Sequence, residues 1–442
     1  MKFHPHDVIL EEFYLSQTEE QQALLAHLVH CPRCILRLGH LTDRSPEGAC
    51  SVCDDLATMD LAPWFGAVPD RMEQAIVRER AAAPALFVEL MGLSPERRRL
   101  LMRNSARFQS WGLCELLLER CRETAIQNPT GAEEMALFAL EVSNRLDTTS
   151  YRPVLIRDLQ ARAWAWLGNA RRVKSDLREA EEAFLKAEAL LRQGSRDPLE
   201  RALFLDLKAS LRRAQRRFDE ALGLLRRAVA IYYRSGHFHR AGRSLVNMDL
   251  IHCYAGHPER GIPLLSKAIE LIDVDLEPRL KLCAQHNLIQ DLAEAGRFCE
   301  AQKLYRETCP LYREFSEGWA KSRRKWVKGK ISLGLGRTAQ AERLFLAARD
   351  GFIDDGIPYD TALVSLELAI LYARKGRTAD LKRLAQEMLP IFSSLQIHRE
   401  ALAALSFLRK ALEAERASLE LVSRVASFLR RAEHDPGLRF EP

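Results

Sequence analysis

The chain lacks any run approaching the ~18 consecutive apolar residues that a membrane span requires, so no membrane-embedded protein is expected. Its acidic, His-containing opening has none of the basic-then-apolar pattern of a secretory leader, and the expected location is therefore cytoplasmic. Missing too are a Gly-rich phosphate loop, a His-Glu-x-x-His pair and a nucleophile elbow, which removes the common signatures of nucleotide, metalloprotease and serine-hydrolase chemistry. No enzymatic activity is expected. Charge of one sign is scarce: 66 Lys and Arg stand against 60 Asp and Glu, a net charge of +6. The excess is uneven, since the stretch from Tyr151 to Arg240 alone holds 20 basic and 11 acidic residues, read as solvated helix faces. Disulfide spacing is absent as well. Cys114, Cys121, Cys253, Cys283, Cys299 and Cys309 scatter through helical patterns, as reduced, buried thiols do.

What is present begins at the N-terminus. His27-x3-Cys31-x2-Cys34 gathers an imidazole and two thiols within eight residues, downstream of His4 and His6. One further nitrogen would complete a tetrahedral Zn²⁺ site. The cluster has a helical scaffold: Asp7 can cap a first helix carrying Ile9, Phe13 and Leu15, and Thr18 with Gln21 forms a capping box for a second bearing Leu24, Leu25 and Leu28. A rival grouping pairs Cys31 and Cys34 with Cys50 and Cys53, the spacing of an all-thiolate site; the pair is otherwise a candidate redox couple. Pro46 and Gly48 between the pairs, with no strand pattern, favour the histidine set.

The run His27-Leu28-Val29-His30-Cys31-Pro32-Arg33-Cys34 resembles the closing motif of the bacterial zinc-binding anti-sigma factors, over about the first 40 residues. The resemblance implies a helical zinc module whose ligands are His4, from the family's opening His-Pro, with His27, Cys31 and Cys34, His6 being the alternate first ligand. It also implies a sigma factor as partner. The chain departs from the family in having a long helical body where a membrane anchor is common.

That body is internally repetitive. Trp164-x2-Leu167-Gly168 followed by Ala180, Phe184 and Ala187 is similar to the tetratricopeptide pattern of an antiparallel helix pair. Related runs follow, anchored at Ala221, Gly261, Ala301, Ala341 and Leu381, about 40 residues apart against the ~34 of the commonest repeat. Small residues let paired helices approach, and large ones fill the space between pairs. Gly256, Gly296, Gly336 and Gly376 fall where a first helix closes by a positive-φ residue.

The expected fold is thus all-α: a small helical zinc-binding module (1–40), a linker (41–70), a helical cap with one degenerate helix pair (71–150), a tetratricopeptide-like α-solenoid of about six repeats (151–416), and a capping helix with its tail (417–442). Within the cap, helices are expected over 94–104, 106–123 and 132–146. Register places Arg162, Asn169, Arg172, Asp206, Arg213, Arg243, Asn247, His286, Gln290, Arg323, Trp326 and Lys330 on first-helix faces lining a groove. Amides there could bond a peptide backbone and guanidinium groups its carboxylates. At the sixth repeat these positions become Leu363, Leu366 and Ile370, an apolar face suited to receive the C-terminal helix. The densest basic run, Lys321 to Lys330 around Trp326, lies on a repeat helix with no nucleic-acid-binding motif beside it, so nucleic acid is not the expected partner. The functional expectation is a protein-interaction regulator capturing a protein or acidic peptide, a sigma factor if the resemblance extends to activity. The alternative is a scaffold or adaptor whose zinc is purely structural.

Overall fold

The computed structural model describes residues 70–125, 127–255, 257–315, 319–394, 419–432 and 438–440. His4, His6, His27, Cys31, Cys34, Cys50 and Cys53 lie outside the described residues, as does the 41–69 stretch. Every regular element among the described residues is helical. These residues fall into two compact units, one reaching Leu211 and including Ala230–His237, the other comprising Arg212–Val229 and what is described from Phe238 onward.

The first unit opens with α1 (Asp70–Met91), α2 (Pro95–Asn104), α3 (Trp111–Thr124) and α4 (Pro129–Ser143). α2 begins at the expected Ser94-Pro95-Glu96, and α3 and α4 form the degenerate pair. Its expected start near Ala106 is instead a short 3₁₀ turn, Ala106–Phe108. The α3 N-terminus is capped twice: the Leu113 amide donates to Ser110 Oγ at 3.2 Å, and the Trp111 amide to the Glu79 carboxylate at 2.6 Å. Glu79 also accepts from the Tyr151 hydroxyl. α1 can bring Glu79 this close because residue 112 is glycine, where a Cβ would fall 2.4 Å from the Glu79 carbonyl carbon. Leu90, Met102, Phe108, Leu113, Leu117 and Leu159 are core members with little or no exposure.

The repeats follow as first and second helices: α5 (Pro153–Val173) with α6 (Leu177–Leu191), α7 (Pro198–Ala214) with α8 (Phe218–Arg234), and α9 (Phe238–Tyr254) with α10 (Gly261–Leu271). Then come α11 (Pro278–Glu294) with α12 (Phe298–Glu307) and the short α13 (Cys309–Glu314), α14 (Trp319–Gly334) with α15 (Thr338–Asp354), and α16 (Pro358–Arg374) with α17 (Thr378–Ser394). The six anchors expected from the repeat all lie in second helices, and Ala180, Ala221, Gly261, Ala301 and Ala341 are buried. Their neighbours explain the small residues. A Cβ on Gly168 would press on Phe184 at 2.8 Å, and one on Gly329 on Phe345 at 2.5 Å. In both repeats, a first-helix glycine makes room for a second-helix phenylalanine with no measurable exposure.

Gly296, Gly336 and Gly376 turn first helices into second ones at φ of 75°, 76° and 65°, as the sequence indicated, whereas Gly256 lies outside the described residues. Each turn carries the hydrogen bond that reaches back over the helix end, such as Arg297 N to Leu292 O at 2.8 Å and Arg337 N to Ser332 O at 2.8 Å. The two earliest repeats make the same turn without glycine, at Ser175 (φ 69°) and Arg216 (φ 61°).

α18 (Leu419–Ala432) packs on α16, the apolar face expected to receive it. Leu363 and Leu366 share one core with Val422, Val425, Phe428 and Leu429, and Ile370 packs at its margin. At the polar edge Arg430 donates to Glu367 at 2.7 Å.

Two measurements test this account. Left-handed backbone costs an L-residue roughly 1–2 kcal/mol, partly offset by glycine's greater unfolded-state entropy, so Ser175→Gly should stabilise by about 0.5–1 kcal/mol, seen as a higher urea midpoint at unchanged slope. Val425→Asp puts a charge where there is no exposure. It should unseat α18 and uncover Leu363 and Leu366, read as a lower midpoint together with new binding of an apolar dye.

Candidate functional site

The first-helix positions form ladders of ion pairs reaching from one repeat to the next. In the first unit, Arg80 clasps Glu115 through two bonds of 2.7 and 3.0 Å, and Arg162 lies 3.8 Å from Glu115 while its other edge bonds Glu200, Nε to Oε2 at 3.0 Å. α1, α3, α5 and α7 thus share one chain of alternating charge. Burial alone would raise the Glu115 carboxyl, but the Arg80 hydrogen bonds, with the Arg80 and Arg162 charges, hold it below the ordinary range. Asn169, buried, accepts from the Arg172 guanidinium at 2.9 and 3.0 Å, so these two expected groove residues bond each other.

In the second unit Arg243 and His239 both bond Glu277, His239 at 3.2 Å. Arg323 bonds the buried Asp360 at 3.0 Å. Lys330 bonds Glu294 at 3.0 Å and lies 3.9 Å from Glu367, which Arg430 also holds. A four-helix relay results, Glu294–Lys330–Glu367–Arg430, on α11, α14, α16 and α18. Desolvation would raise the Glu294 carboxyl, yet the Lys330 and Arg430 charges pull it down overall. Gln290 donates to Glu294 at 3.4 Å, and Asn247 is half-buried on α9. His286 pairs with the Tyr312 hydroxyl at 2.7 Å, and burial beside Arg323 and Lys330 pushes it down to about 3, so its imidazole is neutral at physiological pH.

Two expected groove residues, Asn169 and Trp326, are buried rather than open to a groove. Trp326 is 7% exposed and packs edge-on to Phe352 in the core of the fifth and sixth repeats, because its face of α14 looks toward α15 rather than outward. The basic run around it is likewise engaged within the chain: Arg324 donates to the Tyr305 hydroxyl at 3.1 Å, Lys325 to the Ala347 carbonyl at 3.1 Å, and Lys330 lies over the Trp326 ring. Of the cysteines, Cys114 and Cys121 are buried as expected, but Cys283 and Cys299 are exposed. The sequence reading missed a cluster of Asp249, Cys253 and Asp291. Its signal was available: both aspartates occupy repeat positions that are apolar or glycine elsewhere.

As for zinc, the N-terminal donor set of two imidazoles and two thiols is chemically what a closed tetrahedral site takes. Among the described residues no helix is long and apolar enough to cross a membrane.

No protein-family model matches the sequence, and no curated protein does. Solved structures do share its architecture. A Rap protein complexed with competence and sporulation factor superposes with a TM-score of 0.53 at 11% identity, over 73% of this chain and 87% of that one. Aspartyl phosphate phosphatase F from Bacillus subtilis superposes with a TM-score of 0.50 at 12% identity, over 90% and 96%. At such identities the likeness defines the class by fold alone: an all-α repeat protein.

The ladders carry a quantitative expectation. Arg162→Ala strands the largely buried Glu200 carboxylate, while Glu115 keeps Arg80, and should cost about 2–3 kcal/mol, somewhat below the ~3–5 of a fully buried pair because the Arg162 side chain keeps 25% exposure. The surface pair of Arg297 and Glu300, 45% and 58% exposed, should leave the midpoint almost unmoved when Arg297 becomes Ala. Denaturant midpoints of the two variants at equal slope are the comparison.

Proposed function

We propose that this chain is a non-catalytic regulator that captures a protein or peptide partner, its repeat helices supplying the binding face and its first 40 residues a zinc module. The observation that carries this reading is a half-exposed guanidinium group already oriented by a carboxylate of the next repeat, Arg243 with Glu277 at the start of α11 being 33% and 30% exposed. Such groups need no reordering to meet a partner's carboxylates, and the acidic neighbours penalise partners of the wrong charge order. The fold likeness to a Rap protein found complexed with competence and sporulation factor supports it. The finer reading, resting on the N-terminal motif, makes the partner a sigma factor that the zinc module holds away from RNA polymerase. His4, His27, Cys31 and Cys34 would hold the ion, which supplies folding free energy to the module. The groove accepts acidic segments of the partner.

Exchanging the charges, with Arg243→Glu combined with Glu277→Arg, keeps the internal pair but inverts what it presents. Fold and thermal midpoint should persist, while partner affinity falls at least tenfold and loses part of its salt dependence, as expected when exposed charges screened over ~8 Å carry the interaction. Replacing Cys31 and Cys34 by Ala should remove about one zinc equivalent by elemental analysis. A sigma factor that co-purifies with the chain and is lost on deleting residues 1–40 supports the regulator. If partner capture survives both the charge exchange and the deletion, the reading is wrong.

A further inference from the structure

Twelve positions before each second-helix anchor lies a first-helix residue: Gly168, Ala209, Ile289, Gly329 and Ala369 in five repeats, and Asp249 in the third. Two residues further along lies a second core position, Ala170, Leu211, Ile251, Ile331 and Leu371 in five repeats, and Asp291 in the fourth. Two adjacent repeats therefore place carboxylates in slots that the others fill with hydrocarbon or leave small. Asp249 has no measurable exposure and Asp291 only 2%. Packing does not call for them, and an unneutralised buried carboxylate is costly.

The site has been shaped to admit them. The third repeat's anchor is Gly261, where four of the other five anchors are alanine and the fifth is Leu381, and a Cβ there would fall 1.9 Å from Asp249 Oδ1 and 2.9 Å from Asp291 Oδ2. Both carboxylates thus converge on the same point above the Gly261 backbone. Asp291 Oδ2 is buried without a hydrogen-bond partner. Cys253 Sγ lies 3.8 Å from Asp249 Oδ1 and 3.8 Å from Asp291 Oδ1, and one ligand atom from each residue falls within 4.8 Å of the others. Around a tetrahedral zinc, with Zn–S of about 2.3 Å and Zn–O of about 2.0 Å, a sulfur and an oxygen ligand stand roughly 3.5 Å apart. Both sulfur–oxygen separations are within a few tenths of an ångström of that edge length. Among the described residues neither carboxylate has a salt bridge to a basic side chain.

We infer that Asp249, Cys253 and Asp291 hold one divalent transition-metal ion of the zinc class, independent of the N-terminal cysteines. Asn287, whose amide donates to Asp249 Oδ2 at 3.2 Å, orients that carboxylate from outside the ligand set. Three protein ligands leave a fourth position for water, and Cys253, the one member not fully buried, marks the route by which the ion enters. Binding displaces the thiol proton and the proton held between the carboxylates into solvent; no electron moves. In the metal-free chain burial raises both carboxyls, and repulsion by Asp249 raises Asp291 further, so the pair retains that proton.

The test uses the full chain carrying Cys31→Ser and Cys34→Ser, titrated with Co²⁺ and separately with Zn²⁺. One equivalent of Co²⁺ should bind with a near-ultraviolet sulfur-to-metal absorption, and Zn²⁺ should displace it and raise the thermal midpoint. Cys253→Ala should abolish the absorption, Asp291→Asn should weaken Zn²⁺ binding more than tenfold, and Asn287→Ala should weaken it about 10–100-fold. Cys253→Ala substitutes the member outside the core, so a folding failure of Asp291→Asn leaves the test intact. Absence of binding in the parent chain overturns the inference and leaves a carboxylate pair sharing a proton. An absorption that survives Cys253→Ala overturns it equally, by placing the ion at other thiols.

Discussion

Close approach of paired helices is the constraint on which the rest of this structure depends. Two helices of a repeat meet closely where at least one of the opposed positions is small, and this chain meets the demand in different ways. In the first and fifth repeats the glycine is on the first helix, at Gly168 and Gly329, and a phenylalanine comes across from the second. In the third the glycine is on the second helix, at Gly261, and a carboxylate comes across from the first. The space is conserved in total and exchanged between partners, which is how a polar group reaches the middle of a packing motif without unfolding it.

The ladders of charge follow from that packing. Once first helices stand side by side at a fixed spacing, a basic residue on one is within reach of an acidic residue some 34–38 positions later, as with Arg243 and Glu277 or Arg162 and Glu200. Neighbouring repeats are thereby matched by charge as well as by shape. A chain with only a small net excess can in this way carry long basic stretches without a strongly basic surface.

Much of this was legible in the sequence, and the failures have physical causes. The repeats were legible because a small-residue anchor and a positive-φ glycine recur in step, and both are demands of backbone geometry. The docking of α18 was legible because Leu363, Leu366 and Ile370 broke a polar pattern on a face that water would otherwise meet. α1 was not singled out, since Pro84 lies within it and proline ordinarily interrupts a helix interior. Ion-pair partners were not legible because they are far apart in sequence, and Trp326 was assigned outward because one residue of register turns a helix by about 100°. Ser175 and Arg216 concealed their turns by occupying a conformation that glycine normally announces.

The position of α18 has a consequence for competition. A helix that covers the last apolar face of its own array acts as a tethered ligand, present at an effective concentration fixed by chain connectivity rather than by expression level. A foreign helix offered to Leu363 and Leu366 of equal intrinsic affinity must reach that concentration to displace half of it, and when it succeeds it frees Arg430 from Glu367 and so changes the charge balance around Lys330. Occupancy of one end of the array is thereby written into the electrostatics of the helices beside it.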